Sequence, residues 1–114
     1  MNYKKIDTFE KVLEFNGETM EQFNNRTIKM APDTFGYEKV KAIVLAMNGG
    51  KNVTSGYFPL FWNPNRSAVR FSYSDYKFVI GHSSVSCRLL IIDAKRTIYA
   101  GETFGKEYSE YING

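Results

Sequence analysis

Soft metal ligands are nearly absent from this 114-residue chain, which has one cysteine and one histidine. A lone Cys87 cannot close an internal disulfide, and a reducing compartment is its simplest setting. Cys87 and His82 do not make a zinc site, which takes about four closely spaced nitrogen and sulfur ligands. Long apolar runs are missing as well. The longest, Ile43 to Met47 and Leu89 to Ile92, fall far short of the roughly 20 residues that a membrane helix needs. The N-terminal MNYKKIDTFEKVLEF carries charge throughout and lacks the apolar segment of a secretory signal. The sequons beginning at Asn25, Asn52 and Asn65 therefore read as chance matches, and a cytoplasmic protein with no membrane contact is expected. The acidic residues are scattered, with no tight carboxylate pair for hydrolytic chemistry. Gly49-Gly50-Lys51 follows a helical pattern and lacks the full phosphate-loop spacing, so it reads as a helix stop. These absences point away from catalysis, from metals and from cofactors.

What is present is enough for one globular domain, residues 1–114, with 43% hydrophobic and 24% charged residues. Eight of the 18 aromatic residues fall between Tyr57 and Ile92: Tyr57, Phe58, Phe61, Trp62, Phe71, Tyr73, Tyr76 and Phe78. The formal net charge is +3. Residues 1–56 and 93–114 are close to balanced, whereas 57–92 hold Arg66, Arg70, Lys77 and Arg88 against Asp75 alone. A local excess this small permits an anionic partner without demanding one.

The pattern along the chain predicts an α+β fold. Asp7 and Glu10 stand at capping-box spacing before a short helix from Thr8 to Phe15. Thr19 and Gln22 repeat that spacing before a helical turn over Met20 to Asn24. Pro32, with Asp33 or Thr34 as cap, starts a helix whose stripe is Tyr37, Val40, Val44 and Met47, and Asn48-Gly49-Gly50 ends it. Tyr57 to Trp62 reads as a strand. Pro59 cannot donate to a ladder, so this strand belongs at an edge or beside a bulge. Asn63 to Ser67 is turn chemistry. Ala68 to Tyr73 alternates as a second strand, Ser74-Asp75 turns the chain, and Lys77 to Ile80 returns. Gly81 to Val85 reads as a loop, and Cys87 to Ile92 as a further strand. Asp93 then caps a long helix to Ile112, with Ala94, Ile98, Gly101, Phe104, Gly105, Tyr108, Tyr111 and Ile112 on one face. Its two glycines would let it approach the sheet closely, and Glu102 with Lys106 makes an i,i+4 pair. The expectation is N-terminal helices, a small antiparallel sheet of three to four strands, and a long C-terminal helix packed on one face of it.

His82 lies among Ser83, Ser84 and Ser86. A Ser–His pairing can support nucleophilic catalysis, but it needs an orienting acid and an oxyanion hole, and a solvated turn is the better reading. Cys87 in an apolar strand reads as a small buried hydrophobe. The aromatic and basic residues of the sheet stand above this background. Sheets that bind single-stranded nucleic acid set aromatic platforms beside Arg or Lys. Arg70, Lys77 and Arg88 could share one sheet face, with Tyr57, Phe61 and Trp62 offering ring surfaces. Burial in the core is the commoner fate of any one ring. Tyr99 falls on the polar side of the last helix, and exposed aromatics near arginine also favour protein interfaces. The candidate binding residues are therefore Tyr57, Trp62, Arg70, Lys77, Arg88 and Tyr99.

The series Ala46-Met47-Asn48, Tyr57-Phe58-Pro59-Leu60-Phe61, Ser86-Cys87-Arg88-Leu89 and Tyr99-Ala100-Gly101-Glu102-Thr103-Phe104 with Tyr108 resembles a family of short uncharacterised proteins. These proteins are common in phages and mobile elements of Bacteroides-type gut bacteria. The resemblance covers about residues 37–112. Leu60 stands where the family has Trp, and Cys87 where a small Gly or Ser is usual. The family has no established activity, so no catalytic residue carries over; the resemblance implies an intracellular accessory protein. The leading expectation is a non-enzymatic interaction module that binds another protein or itself. The alternative is a nucleic-acid or nucleotide-binding protein, and a hydrolase using His82 comes third.

Overall fold

A computed structural model describes residues 2–66, 68–80 and 89–114. His82, Cys87, Arg88 and the predicted loop Gly81–Val85 lie outside the described residues. The fold is α+β, with five α-helices and one two-stranded antiparallel sheet among the described residues.

Thr8 caps α1 (Phe9–Phe15) by accepting from the Lys11 N–H. Asp7, expected in the capping position, instead holds the Lys11 ammonium at 2.9 Å. Thr19 and Gln22 form the predicted capping box, and α2 (Met20–Thr27) runs on to Thr27, whose hydroxyl donates to the Phe23 carbonyl. α3 (Pro32–Met47) starts on its proline, with Ala31 rather than Asp33 or Thr34 at the cap. The proline removes one of the unpaired N–H groups of the first turn, and the Asp33 carboxylate meets the Thr34 N–H at 2.9 Å. Gly49 and Gly50, both at positive φ, stop the helix as expected.

The core is built around α3 rather than around the sheet. Val40, Ala42, Ile43, Val44, Ala46 and Met47 are all buried, against Val12 and Leu13 of α1 and Phe23 of α2. Phe104 and Tyr108 close the core from the C-terminal side.

The sheet is a ribbon of β1 (Ser55–Trp62) and β2 (Ser72–Ile80). The two strands predicted on either side of Ser74-Asp75 are one strand. Leu60 pairs with Asp75 and Phe61 with Tyr73, so Ser74 is absorbed as a bulge instead of turning the chain. The reversal occurs once, over 63–71, where Arg66 (φ 50) and Arg70 (φ 62) supply left-handed geometry without a glycine. Phe71, placed in a strand by its alternation, sits in this connection with its ring stacked 4.5 Å from that of Phe61.

Of the predicted strand Cys87 to Ile92, the described residues 89–92 contribute a single bridge. The Tyr57 N–H donates to the Ile91 carbonyl (2.8 Å), and the Ile91 N–H donates back (2.9 Å). Continuing that ladder one way would need the N–H of Pro59, two residues on, which does not exist. Continuing it the other way meets Asp93, the cap of the next helix. Pro59 thus limits the outer side of β1, as its sequence position implied.

The long C-terminal helix is two helices, α4 (Ala94–Thr103) and α5 (Gly105–Ile112), broken at Phe104 (φ −111, ψ 31). α4 packs on both strands whereas α5 packs on α3, so the chain must change direction between them. The turn falls beside Gly105, a weak helix former. Glu102 and Lys106 lie on opposite sides of the break, which removes their helical spacing. Only one of the two glycines serves close approach: a Cβ on Gly101 would press into the Tyr73 ring and lie 3.2 Å from Pro59, whereas Gly105 faces open space.

Tyr99 is not an exposed ring. Its hydroxyl lies 3.1 Å from the Lys4 carbonyl and 3.0 Å from that of Ile6, and its ring packs edge-on against Tyr3 and Phe104. It ties the N-terminal segment to α4, and burial pushes its hydroxyl pKa up. Tyr99→Phe keeps the ring but drops the hydroxyl. We expect a loss of about 1 kcal/mol, read as a lower urea midpoint at unchanged m-value.

Candidate functional site

The β1–β2 register sorts the ribbon side chains onto two faces, because alternate residues point to opposite sides. Tyr57 pairs with Phe78, Pro59 with Tyr76, Ser55 with Ile80 and, past the bulge, Phe61 with Tyr73. These residues share one face. At one end of that face Gly101 of α4 approaches Pro59 and Tyr73. At the other end the face is open. Tyr76 is 39% exposed, Phe78 53% and Ile80 61%, and Tyr57 is half-buried among them. The rings of Tyr76 and Phe78 pack edge-on against Tyr57 at 5.6 and 5.3 Å. The result is a contiguous aromatic and aliphatic surface on the two-stranded ribbon.

β2 also has an outer edge with no paired strand among the described residues. Tyr57 spends its backbone groups on Ile91, so the pairs Tyr57–Phe78 and Pro59–Tyr76 are the non-hydrogen-bonded ones. The backbone groups of Tyr76 and Phe78 therefore point outward. The Tyr76 N–H is met by the Asp75 carboxylate at 2.8 Å, a local contact across the open edge.

The sequence-predicted residues do not converge. Tyr57 is part of the open face. Trp62, 61% exposed, lies with half-exposed Leu60 on the opposite face at the far end of β1. Its distance from Tyr57 along the strand is about 17 Å. Lys77 projects from that opposite face, where it pairs with Phe58. Arg70 sits in the connecting loop rather than on the sheet, and Arg88 lies outside the described residues. Tyr99 belongs to the N-terminal tie. Phe78 and Ile80 were missed. Their signal was available in the alternation of Tyr76, Phe78 and Ile80 with Asp75, Lys77 and Val79, once no turn is placed at Ser74-Asp75.

Elsewhere several charged side chains are engaged with each other. A cleft of about 500 Å³ between α3 and α5 is lined by Phe35, Lys39, Lys106 and Glu110 among others. Lys39 already holds Glu110 at 2.6 Å and lies over the Phe35 ring. Burial pushes the neighbouring Glu107 carboxyl up. On the other side of α3, Arg26 bridges Glu18 and Glu38, and Lys41 adds a second cation to Glu38. Burial raises the Glu38 carboxyl, but the hydrogen bonds and charges of Lys41 and Arg26 outweigh it and hold the pKa below its ordinary value. Among the described residues no three His, Cys, Asp or Glu side chains gather as metal ligands, and no helix is long and apolar enough to cross a membrane. No family model, curated protein or solved structure matches the chain.

Proposed function

We propose that this chain is a non-enzymatic interaction module that docks a partner protein on the open end of its ribbon, as an accessory protein of the phage or mobile-element kind its resemblance implies. The observation that carries the reading is the Tyr57–Tyr76–Phe78–Ile80 surface. Three large apolar residues stand exposed side by side on one strand, and they adjoin an edge that no other described strand pairs with. Aromatic side chains dominate the energetics of protein interfaces because each buries a large area at little rotamer cost. A strand edge adds backbone hydrogen bonds that any extended partner can use.

The test is capture from a host lysate, with and without nuclease, using the native chain and a Phe78→Ser, Ile80→Ser double variant. Both substituted side chains are more than half exposed, so the fold is expected to survive the change. Capture should persist after nuclease and fall at least tenfold in the double variant. Capture unaffected by the substitutions would remove the ribbon face as the site. Capture seen only without nuclease, and weakened by Arg70→Ala with Arg88→Ala, would favour the nucleic-acid reading instead.

A further inference from the structure

The edge of β2 that is unpaired among the described residues carries a charge pattern that selects its own partner. Asp75 and Lys77 lie two residues apart on the same face of the strand, flanking Tyr76. Both are exposed and neither has an ion-pair partner among the described residues. A lone edge lysine usually guards a strand against pairing. An acid and a base flanking a single residue do the opposite for one arrangement. Two copies of β2 running antiparallel about Tyr76 place each Asp75 opposite the other copy's Lys77. A parallel arrangement stacks like on like, and an antiparallel one centred on Lys77 opposes two ammonium groups.

We infer that two copies of this chain associate through the β2 edge, antiparallel and centred on Tyr76, to join their ribbons into one four-stranded sheet. The inference rests on the ribbon being a protein-binding surface and names the partner as a second copy. Outward-pointing backbone groups of Tyr76 bond to the same residue of the other copy. Asp75 gives up the Tyr76 N–H it now accepts and turns to the facing ammonium, so both groups stay satisfied. The interface is isologous, as a two-fold dimer requires. On the other face of the joined sheet Tyr76 meets its counterpart, with Phe78 diagonal to it, which covers rings that are exposed in the single chain. The bulge at Ser74 ends the regular edge, so the ladder is short and the dimer weak and concentration-dependent.

The experiment is sedimentation equilibrium from the micromolar to the millimolar range on four samples: the native chain, Asp75→Lys, Lys77→Asp, and an equimolar mixture of the two variants. The native chain should dimerise. Each single variant opposes like charges twice and should weaken self-association by roughly tenfold or more. The mixture should restore it, because each variant then faces the opposite sign on the other. A native chain that stays monomeric throughout, or a dimer indifferent to both reversals, or a mixture that fails to recover, would overturn the inference. The wider reading is judged separately: a monomeric chain whose lysate capture still depends on Phe78 and Ile80 keeps the docking face and loses only the second copy as its occupant.

Discussion

Gly36→Ala should destabilise this protein by about 3 kcal/mol, the upper part of the range for overpacking a closed contact. Gly36 is where α3 crosses α5. A Cβ built there lies 2.6 Å from the Glu110 carbonyl carbon and oxygen and 2.6 Å from the Tyr111 Cα. All three are backbone atoms, so no rotamer change can make room. The helices must separate, and separation loosens the Lys39–Glu110 ion pair and the contact of the Tyr37 and Tyr111 rings, which bracket the crossing. The substitution gains about 1 kcal/mol of helix propensity, which the clash must exceed before any loss is seen. A net loss of this size corresponds to a fall of roughly 10–15 °C in melting temperature for a domain near 100 residues. Gly105→Ala is the matched control. It faces open space at the start of α5, and it should be neutral or slightly stabilising. Equal melting temperatures for the two variants would show that α3 and α5 do not cross as closely as described.

Signals that act within a few residues were legible in the sequence. Pro32 and the Gly49-Gly50 pair bounded α3 because a proline start and a glycine stop work through their own backbone. Thr19 and Gln22 closed their capping box for the same reason. Pro59 limited the pairing of β1 whatever lay beside it. What failed were local signals that a distant contact overruled. Ser74-Asp75 is turn chemistry, yet pairing with β1 on both sides of it draws the chain through as a bulge. The single reversal went to 63–71, where two arginines take left-handed backbone that nothing in their side chains advertises. The 94–112 pattern is continuous on one helical face, but its two halves serve different neighbours, the ribbon and α3, and one straight rod cannot lie on both. Tyr99 looked polar-facing because the N-terminal segment that covers it comes from the other end of the chain. The candidate site follows the same rule. Tyr57 was found from composition. Phe78 and Ile80 were missed because their exposure is decided by where α4 stops covering the ribbon.

Asn48→Ala should cost about as much, roughly 3 kcal/mol, for the opposite reason: it takes away polar partners instead of adding volume. In the sequence Asn48 belongs to a helix stop. In the fold its side chain is buried, with the amide nitrogen donating to the Leu90 carbonyl at 2.9 Å and the amide oxygen accepting from the Ile92 N–H at 2.8 Å. Leu90 to Ile92 is thus held from two sides, by Tyr57 through its backbone and by Asn48 acting as the missing neighbouring strand. Pro59 and Asp93 keep that segment from extending its own ladder, so Asn48 supplies half of what fixes it. Truncation leaves a buried acceptor and a part-buried donor at once, each worth about 1–3 kcal/mol when stranded. Amide exchange at Ile91 and Tyr57 should accelerate along with the fall in denaturation midpoint, since the bridge loses its backing. Asn48→Asp separates polar pairing from mere bulk. Its carboxylate can accept from Ile92 but only repels the Leu90 carbonyl, so burial raises the pKa of the new group in the folded state. Stability is then greatest below the ordinary carboxylate range, where the protonated acid donates to Leu90, and is lost as pH rises through the folded value. The native chain has no such dependence at this position, so the difference between the two pH profiles isolates it. An Asn48→Asp variant as stable as the native chain at neutral pH would mean that the amide does not clamp this segment and that the Tyr57 bridge alone holds it.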